Sequence, residues 1–93
     1  MNDKIMTAME KEALRHAVLE YLYAREGSAH TLRMVRRWLA SEMDFAFTDD
    51  ELLAALLYQK EAGNAVFVFD PDGATKWWQV TRNGVLRVER GIQ

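Results

Sequence analysis

The feature that most constrains this chain is a change of periodicity at Gly63-Asn64. Before it, apolar residues recur at the three- and four-residue spacing of amphipathic helices. After it, Ala65-Val66-Phe67-Val68-Phe69 and Lys76-Trp77-Trp78-Gln79-Val80 are β-branched and aromatic, and the turn sequence Asp70-Pro71-Asp72-Gly73 separates them. Such a chain must set a β-hairpin, predicted over 65–80, against a helical layer, which makes the fold class α+β.

The helix boundaries follow from capping chemistry. Thr7-Ala8-Met9-Glu10 has the form of a capping box, in which hydroxyl and carboxylate each satisfy a free backbone N–H at a helix start. Leu14, Ala17, Val18, Tyr21 and Leu22 follow on one stripe and Gly27 can take the left-handed conformation that ends a helix, so the first helix is predicted over 7–26. A second, starting near His30 or Thr31, is predicted over 30–42, with Leu32, Val35, Leu39 and Met43 on one side. Thr48-Asp49-Asp50-Glu51 repeats the box, its acids favoured by the helix dipole, and starts a third helix over 48–62 whose buried stripe is Leu52, Leu53, Leu56 and Leu57.

The residues after the hairpin permit two readings. Asn83-Gly84 could turn a third strand, or Thr81 could cap a short helix over 82–90 through Val85, Leu86 and Val88. The helix is favoured, because the strand register would set Leu86 and Val88 against Thr81 and Gln79, poor partners on a buried face. There is no internal repeat and no linker, so one domain over 1–93 is expected.

Composition bounds the function classes. Twelve Lys and Arg against fourteen Asp and Glu leave a formal charge of -2, which argues against an indiscriminate polyanion binder. The charge is segregated, however: Arg33, Arg36 and Arg37 face only Glu42 between His30 and Glu42, whereas Asp44, Asp49, Asp50 and Glu51 stand unopposed from Met43 to Glu51. The absence of cysteine removes disulfides, thiolate zinc sites and thiol nucleophiles. Asp3 and Lys4 interrupt the leading residues, no signal peptide or membrane span is expected, and a cytoplasmic location is the default.

The inventory is equally poor for catalysis, so no enzyme, metal site or cofactor is expected. His16 and His30 are the only histidines, and His16, with Glu12 and Glu20 four residues to either side, reads as a salt-linked surface residue. Thr7, Thr48 and Thr81 are engaged as caps, and the five glycines are isolated at turns and helix ends instead of forming a phosphate loop.

Three helices, a hairpin and a short last helix in this order resemble the winged helix-turn-helix superfamily. Leu53-x-x-Leu56-Leu57 with Gly63 resembles the recognition helix and its exit into the wing, and Trp78-Gln79-Val80-Thr81-x-x-Gly84 resembles the second wing strand and capped final helix of bacterial winged-helix regulators. The chain length and the ending Thr81-x-x-Gly84 followed by Gly91 are also similar to small winged-helix proteins of Mu-like transposable phages.

The resemblance implies a DNA-binding or transcription-associated protein acting on double-stranded DNA. Its third helix would enter the major groove, its second would brace against phosphates and its wing would reach a neighbouring groove or the backbone. Carried onto this chain, Arg33, Arg36 and Arg37 become phosphate contacts together with Lys76 and Arg82 at the base of the wing, while Asp70 and Asp72 at its tip would repel phosphate. The third helix departs from the pattern. Its outward face reads as Glu51, Ala54, Ala55, Tyr58 and Glu61, which leaves Tyr58 and Gln59 as the only groove probes.

The aromatic residues suggest a protein interface. Adjacent strand residues point to opposite faces, so Trp78 and Val80 are assigned to the core and Trp77 is left outside, as are Leu19 and Tyr23 on the first helix. A homodimer through such residues is expected. The alternative function is a winged-helix protein-interaction module that docks a partner through Ala54, Ala55 and Tyr58 or through the hairpin aromatics.

Overall fold

A computed structural model describes residues 5–91; Asp3 and Lys4, read above for targeting, and the last two residues lie outside them. The order of elements is α1 (Ala8–Ala24), α2 (Leu32–Glu42), α3 (Asp49–Glu61), β1 (Ala65–Phe69), β2 (Lys76–Val80) and α4 (Arg82–Glu89). The residues after the hairpin are thus helical, and each of these helices starts at a threonine cap.

The caps have the chemistry read from the sequence. Thr7 Oγ1 accepts from the Glu10 N–H at 3.1 Å while Glu10 Oε1 accepts from the Thr7 N–H at 3.1 Å. Thr48 and Glu51 do the same for α3 at 3.1 and 2.8 Å, and Thr81 Oγ1 accepts from Gly84 N–H at 3.0 Å to start α4. For α2 the cap is Thr31, and the Met34 thioether takes the place of the carboxylate, accepting from the Thr31 N–H at 3.5 Å.

β1 and β2 pair antiparallel with Phe67 opposite Trp78 and Val68 opposite Trp77. The connecting turn closes through Gly73 N–H to the Asp70 carbonyl at 2.8 Å, with Gly73 at φ +77°, a conformation that costs glycine little. His30 adds an isolated bridge on the far side of β2, giving and receiving backbone hydrogen bonds with Trp78.

The core lies where α1, α2, α3 and the inner face of the hairpin meet. Leu14, Val18 and Leu22 of α1, Val35 and Leu39 of α2, Leu52 and Leu56 of α3, and Trp78 are all essentially inaccessible to water. Trp78 and Val80 point inward as expected. Burying a residue of this kind stabilises by about 1.5–3 kcal/mol, which is why the leucine stripe of α3 dictates which of its sides faces out.

Three expectations about faces are corrected. Leu19, assigned to the surface, is buried at 5% exposure, because α1 is wrapped by α2, α3, α4 and β2 and buries more than one narrow stripe. Leu57, assigned to the buried stripe, is 38% exposed, and Leu53 is half-buried. Ala55, assigned to the outward face, is buried, since the inward arc of α3 is centred on Leu52, Ala55, Leu56 and Gln59. Among the described residues no helix is long and apolar enough to cross a membrane.

Candidate nucleic-acid interface

α2 presents the basic face. Arg33 and Arg37, one helical turn apart, are exposed and have no side-chain hydrogen bond or ion pair among the described residues. They rim a shallow depression of about 570 Å³ that Met34, Arg36 and Ala40 complete. Arg36 is differently employed. Its guanidinium donates to the Phe47 carbonyl at 3.0 Å, pairs with Asp49 at 3.1 Å and lies 4.9 Å above the Phe47 ring. It ties α2 to the turn that leads into α3, so it holds the two helices in register and has less freedom to meet a phosphate.

The acidic start of α3 is largely consumed by structure. Glu51 completes the capping box and Asp49 pairs with Arg36. Asp50 alone keeps a carboxylate with no side-chain partner in that turn among the described residues. The outward face continues through Ala54, Leu57 and Glu61, with Lys60 beside them.

The two expected groove probes separate. Tyr58 is exposed, but the Arg15 guanidinium of α1 stacks 4.0 Å above its ring. Gln59 is 5% exposed and points into the molecule, where its Nε2 donates to the Arg15 carbonyl at 2.9 Å and its Oε1 accepts from Asn64 Nδ2 at 2.7 Å. A buried amide must find partners, and Gln59 finds them inside, so it is no groove probe. Asn64 Oδ1 in turn accepts from Asn83 Nδ2 at 3.0 Å, and Thr81 Oγ1 donates to the Gly63 carbonyl at 2.7 Å. This network binds the end of α3 to the start of α4.

Lys76, expected at the base of the wing, lies instead next to its tip: it opens β2 directly after the turn and pairs with Phe69, with Nζ 5.4 and 5.5 Å from the Phe67 and Phe69 rings. Arg82 is exposed in the first turn of α4. Both aspartates of the tip have internal roles: Asp70 accepts from Trp77 Nε1 at 3.1 Å, and Asp72 accepts from the N–H groups of Ala74 and Thr75. Those N–H groups hold the Asp72 carboxyl below the usual carboxylate range, so the tip stays negative.

No protein-family model matches the chain, and no curated protein matches it in sequence. Among solved structures it is similar to the X-ray structure of a PadR-like transcription factor from Bacteroides fragilis, with a TM-score of 0.67 and 16% identity over 89% of this chain and 82% of that one. The fold is a winged helix.

In winged-helix terms α2 and α3 form the helix-turn-helix and β1–β2 the wing. The expected phosphate contacts fall on three elements: Arg33 and Arg37 on α2, Lys76 on β2 beside the wing tip and Arg82 at the start of α4, with Arg36 diverted to the turn. The residues expected at a protein interface do not form one patch. Leu19 is core, Tyr23 is half-buried with its hydroxyl 3.4 Å from Glu89, and Trp77 is half-buried on the outer face of the wing. Burial and the nearby Glu89 carboxylate push the Tyr23 hydroxyl above its ordinary range.

Two features escaped sequence reasoning. His30 pairs with Trp78 as a rudimentary third strand, a role that one residue without alternating neighbours does not announce. Met34 and Trp38 are exposed beside the arginines, where a hydrophobic residue on an amphipathic helix is ordinarily assigned to the core.

Proposed function

We propose that the protein is a winged-helix DNA-binding module of transcription regulation that grips duplex mainly by its backbone. The observation that carries this reading is the pair Arg33 and Arg37, side by side on the exposed face of the helix that precedes α3 and without ion-pair partners among the described residues. Arg82 at the wing base and Lys76 near its tip would add contacts. The PadR-like neighbour supports the reading through its description as a transcription factor. The resemblance of the chain's ending to small proteins of Mu-like phages suggests a phage-derived setting.

Because the exposed side of α3 offers Asp50, Ala54, Leu57 and Glu61, it has no arginine, asparagine or glutamine to distinguish a purine, and Lys60 in the last turn is its one cation. Sequence preference would come from duplex shape and deformability. Titration of duplex binding against salt tests the proposal: several phosphate contacts make affinity fall steeply as salt rises. Absence of duplex binding at low salt would reject it.

A second reading is favoured by one observation. The outward face of α3 is apolar at its centre, through Ala54 and Leu57, and acidic at its ends, through Asp50 and Glu61, a pattern suited to docking a basic, amphipathic protein partner. Failure to bind DNA together with retained binding of such a partner would favour it.

A further inference from the structure

The outer edge of β1 is free among the described residues. In an antiparallel ladder the residues whose N–H and C=O face the neighbour alternate with residues whose groups face away. The bonds Asp70 N–H to Thr75 carbonyl and Thr81 N–H to Asn64 carbonyl, each 2.8 to 3.0 Å, fix the phase. Asn64, Val66, Val68 and Asp70 face β2, so the backbone groups of Phe67 and Phe69 point away from it. On the other side of β2 the central residue is occupied, since Trp78 exchanges bonds with His30, which leaves only the groups of Lys76 and Val80 at the two ends of that strand. Those of Phe67 and Phe69 bond to no backbone group among the described residues.

This edge lacks the devices that ordinarily prevent strand addition. β1 contains no charge, no proline and no bulge. Its side chains are apolar, and three of the five are exposed: Val66, Val68 at 62% and Phe69 at 54%.

We propose that β1 is a dimerisation strand, pairing antiparallel with β1 of a second copy about a two-fold axis at Val68. In this register Phe67 of one copy exchanges two backbone hydrogen bonds with Phe69 of the other, and symmetry supplies the same pair again. Val68 then meets Val68 in the close, non-hydrogen-bonded position. A second copy is the occupant that the strand itself specifies, because an antiparallel edge centred on one residue is self-complementary: donors meet acceptors, and the exposed Val68 and Phe69 are covered by their own counterparts. The neighbouring register, centred on Phe67, would require Ala65, which is buried against α3 and unable to reach a partner strand. The surface is small and association is accordingly weak and concentration-dependent.

Sedimentation velocity over a concentration series tests the proposal. The wild-type chain is expected to pass from monomer to dimer as concentration rises. Val68→Lys sets two cations on the axis without touching the core and is expected to remain monomeric, as is Val68→Glu, while an equimolar mixture of the two restores the dimer. In hydrogen exchange the Phe67 and Phe69 amides are expected to slow as the dimer forms. A wild-type monomer throughout, a Val68→Lys protein that dimerises as well as wild type, or a dimer in which those two amides stay unprotected would overturn it. None of these readouts depends on DNA, so this proposal and the functional one can fail separately.

Discussion

His30 and Trp78 exchange both of their backbone hydrogen bonds, at 2.8 and 2.7 Å, and so anchor the loop between α1 and α2 to the strand that carries the largest core side chain. The imidazole shares the burial. Its Nδ1 lies 3.1 Å from the Tyr21 hydroxyl, its Nε2 is enclosed without a hydrogen-bond partner among the described residues, and the Arg25 guanidinium stacks on the same Tyr21 ring. Burial first, and the Arg25 charge second, lower the His30 pKa below its ordinary 6.5. The unfolded chain therefore takes up this proton more readily than the folded one. The His30 contribution is constant above about pH 6.5 and declines as pH falls below it, until the folded ring itself protonates. Denaturant melts between pH 7 and 5 should show wild type losing more stability than His30→Gln, and equal slopes would refute the effect.

Gly84 is required by space. A Cβ there would overlap the Asn64 carbonyl oxygen and come within 2.8 Å of Val80 Cγ2, and that carbonyl is held by the Thr81 N–H at 3.0 Å and cannot retreat freely. Gly84→Ala is expected to destabilise by about 1–3 kcal/mol, the usual range for forcing atoms into packed interior, even though alanine is the better helix former. Urea unfolding measures it; a neutral or stabilising result would show that α4 can shift away from the wing.

Gln59, Asn64 and the Arg15 carbonyl act as one unit. Gln59→Met keeps volume but leaves Asn64 Nδ2 without its partner in a buried place, which costs about 1–3 kcal/mol, while the Arg15 carbonyl loses only its second bond and keeps the helical one. Asn64→Ala alone strands Gln59 Oε1 in the same way. The double variant should cost less than the two single losses added together, because the shared bond is removed only once. Strict additivity in a double-mutant cycle would mean that water replaces each partner.

Local chemistry was legible; the choice of face was not. Three of the four threonine caps, the position of the wing and the inward Trp78 are visible because hydroxyls three residues from an N–H, turn residues and alternating aromatics act over short stretches of chain. Leu19 and Gln59 were misassigned for a different reason. A wheel assumes one buried stripe, whereas α1 meets four other elements, and an amide goes inside only if a carbonyl forty-four positions away is there to receive it. Arg36 shows the same limit at the candidate site: three arginines on one helix look alike until the turn beyond places Phe47 and Asp49 within reach of one of them.

That difference among the arginines separates binding from stability. Arg33→Ala combined with Arg37→Ala removes charges that no other described residue pairs with, so the fold should change by no more than about 0.5 kcal/mol. The salt dependence of duplex binding should weaken by roughly 0.9 in log-log slope for each phosphate no longer neutralised, close to two for the pair. Arg36→Ala should behave in the opposite way. It gives up the Phe47 carbonyl bond, the stacking on the Phe47 ring and the Asp49 pair, of which the exposed ion pair counts least, for a stability loss of about 1–2 kcal/mol. Its effect on the salt slope should be the smaller one, and affinity should fall mainly because the α2–α3 turn loosens. Thermal melts and salt titrations on wild type and both variants check both halves. Arg36→Ala lowering the slope as much as the double variant, with an unchanged melting temperature, would place Arg36 on the phosphate and overturn its assignment to the turn.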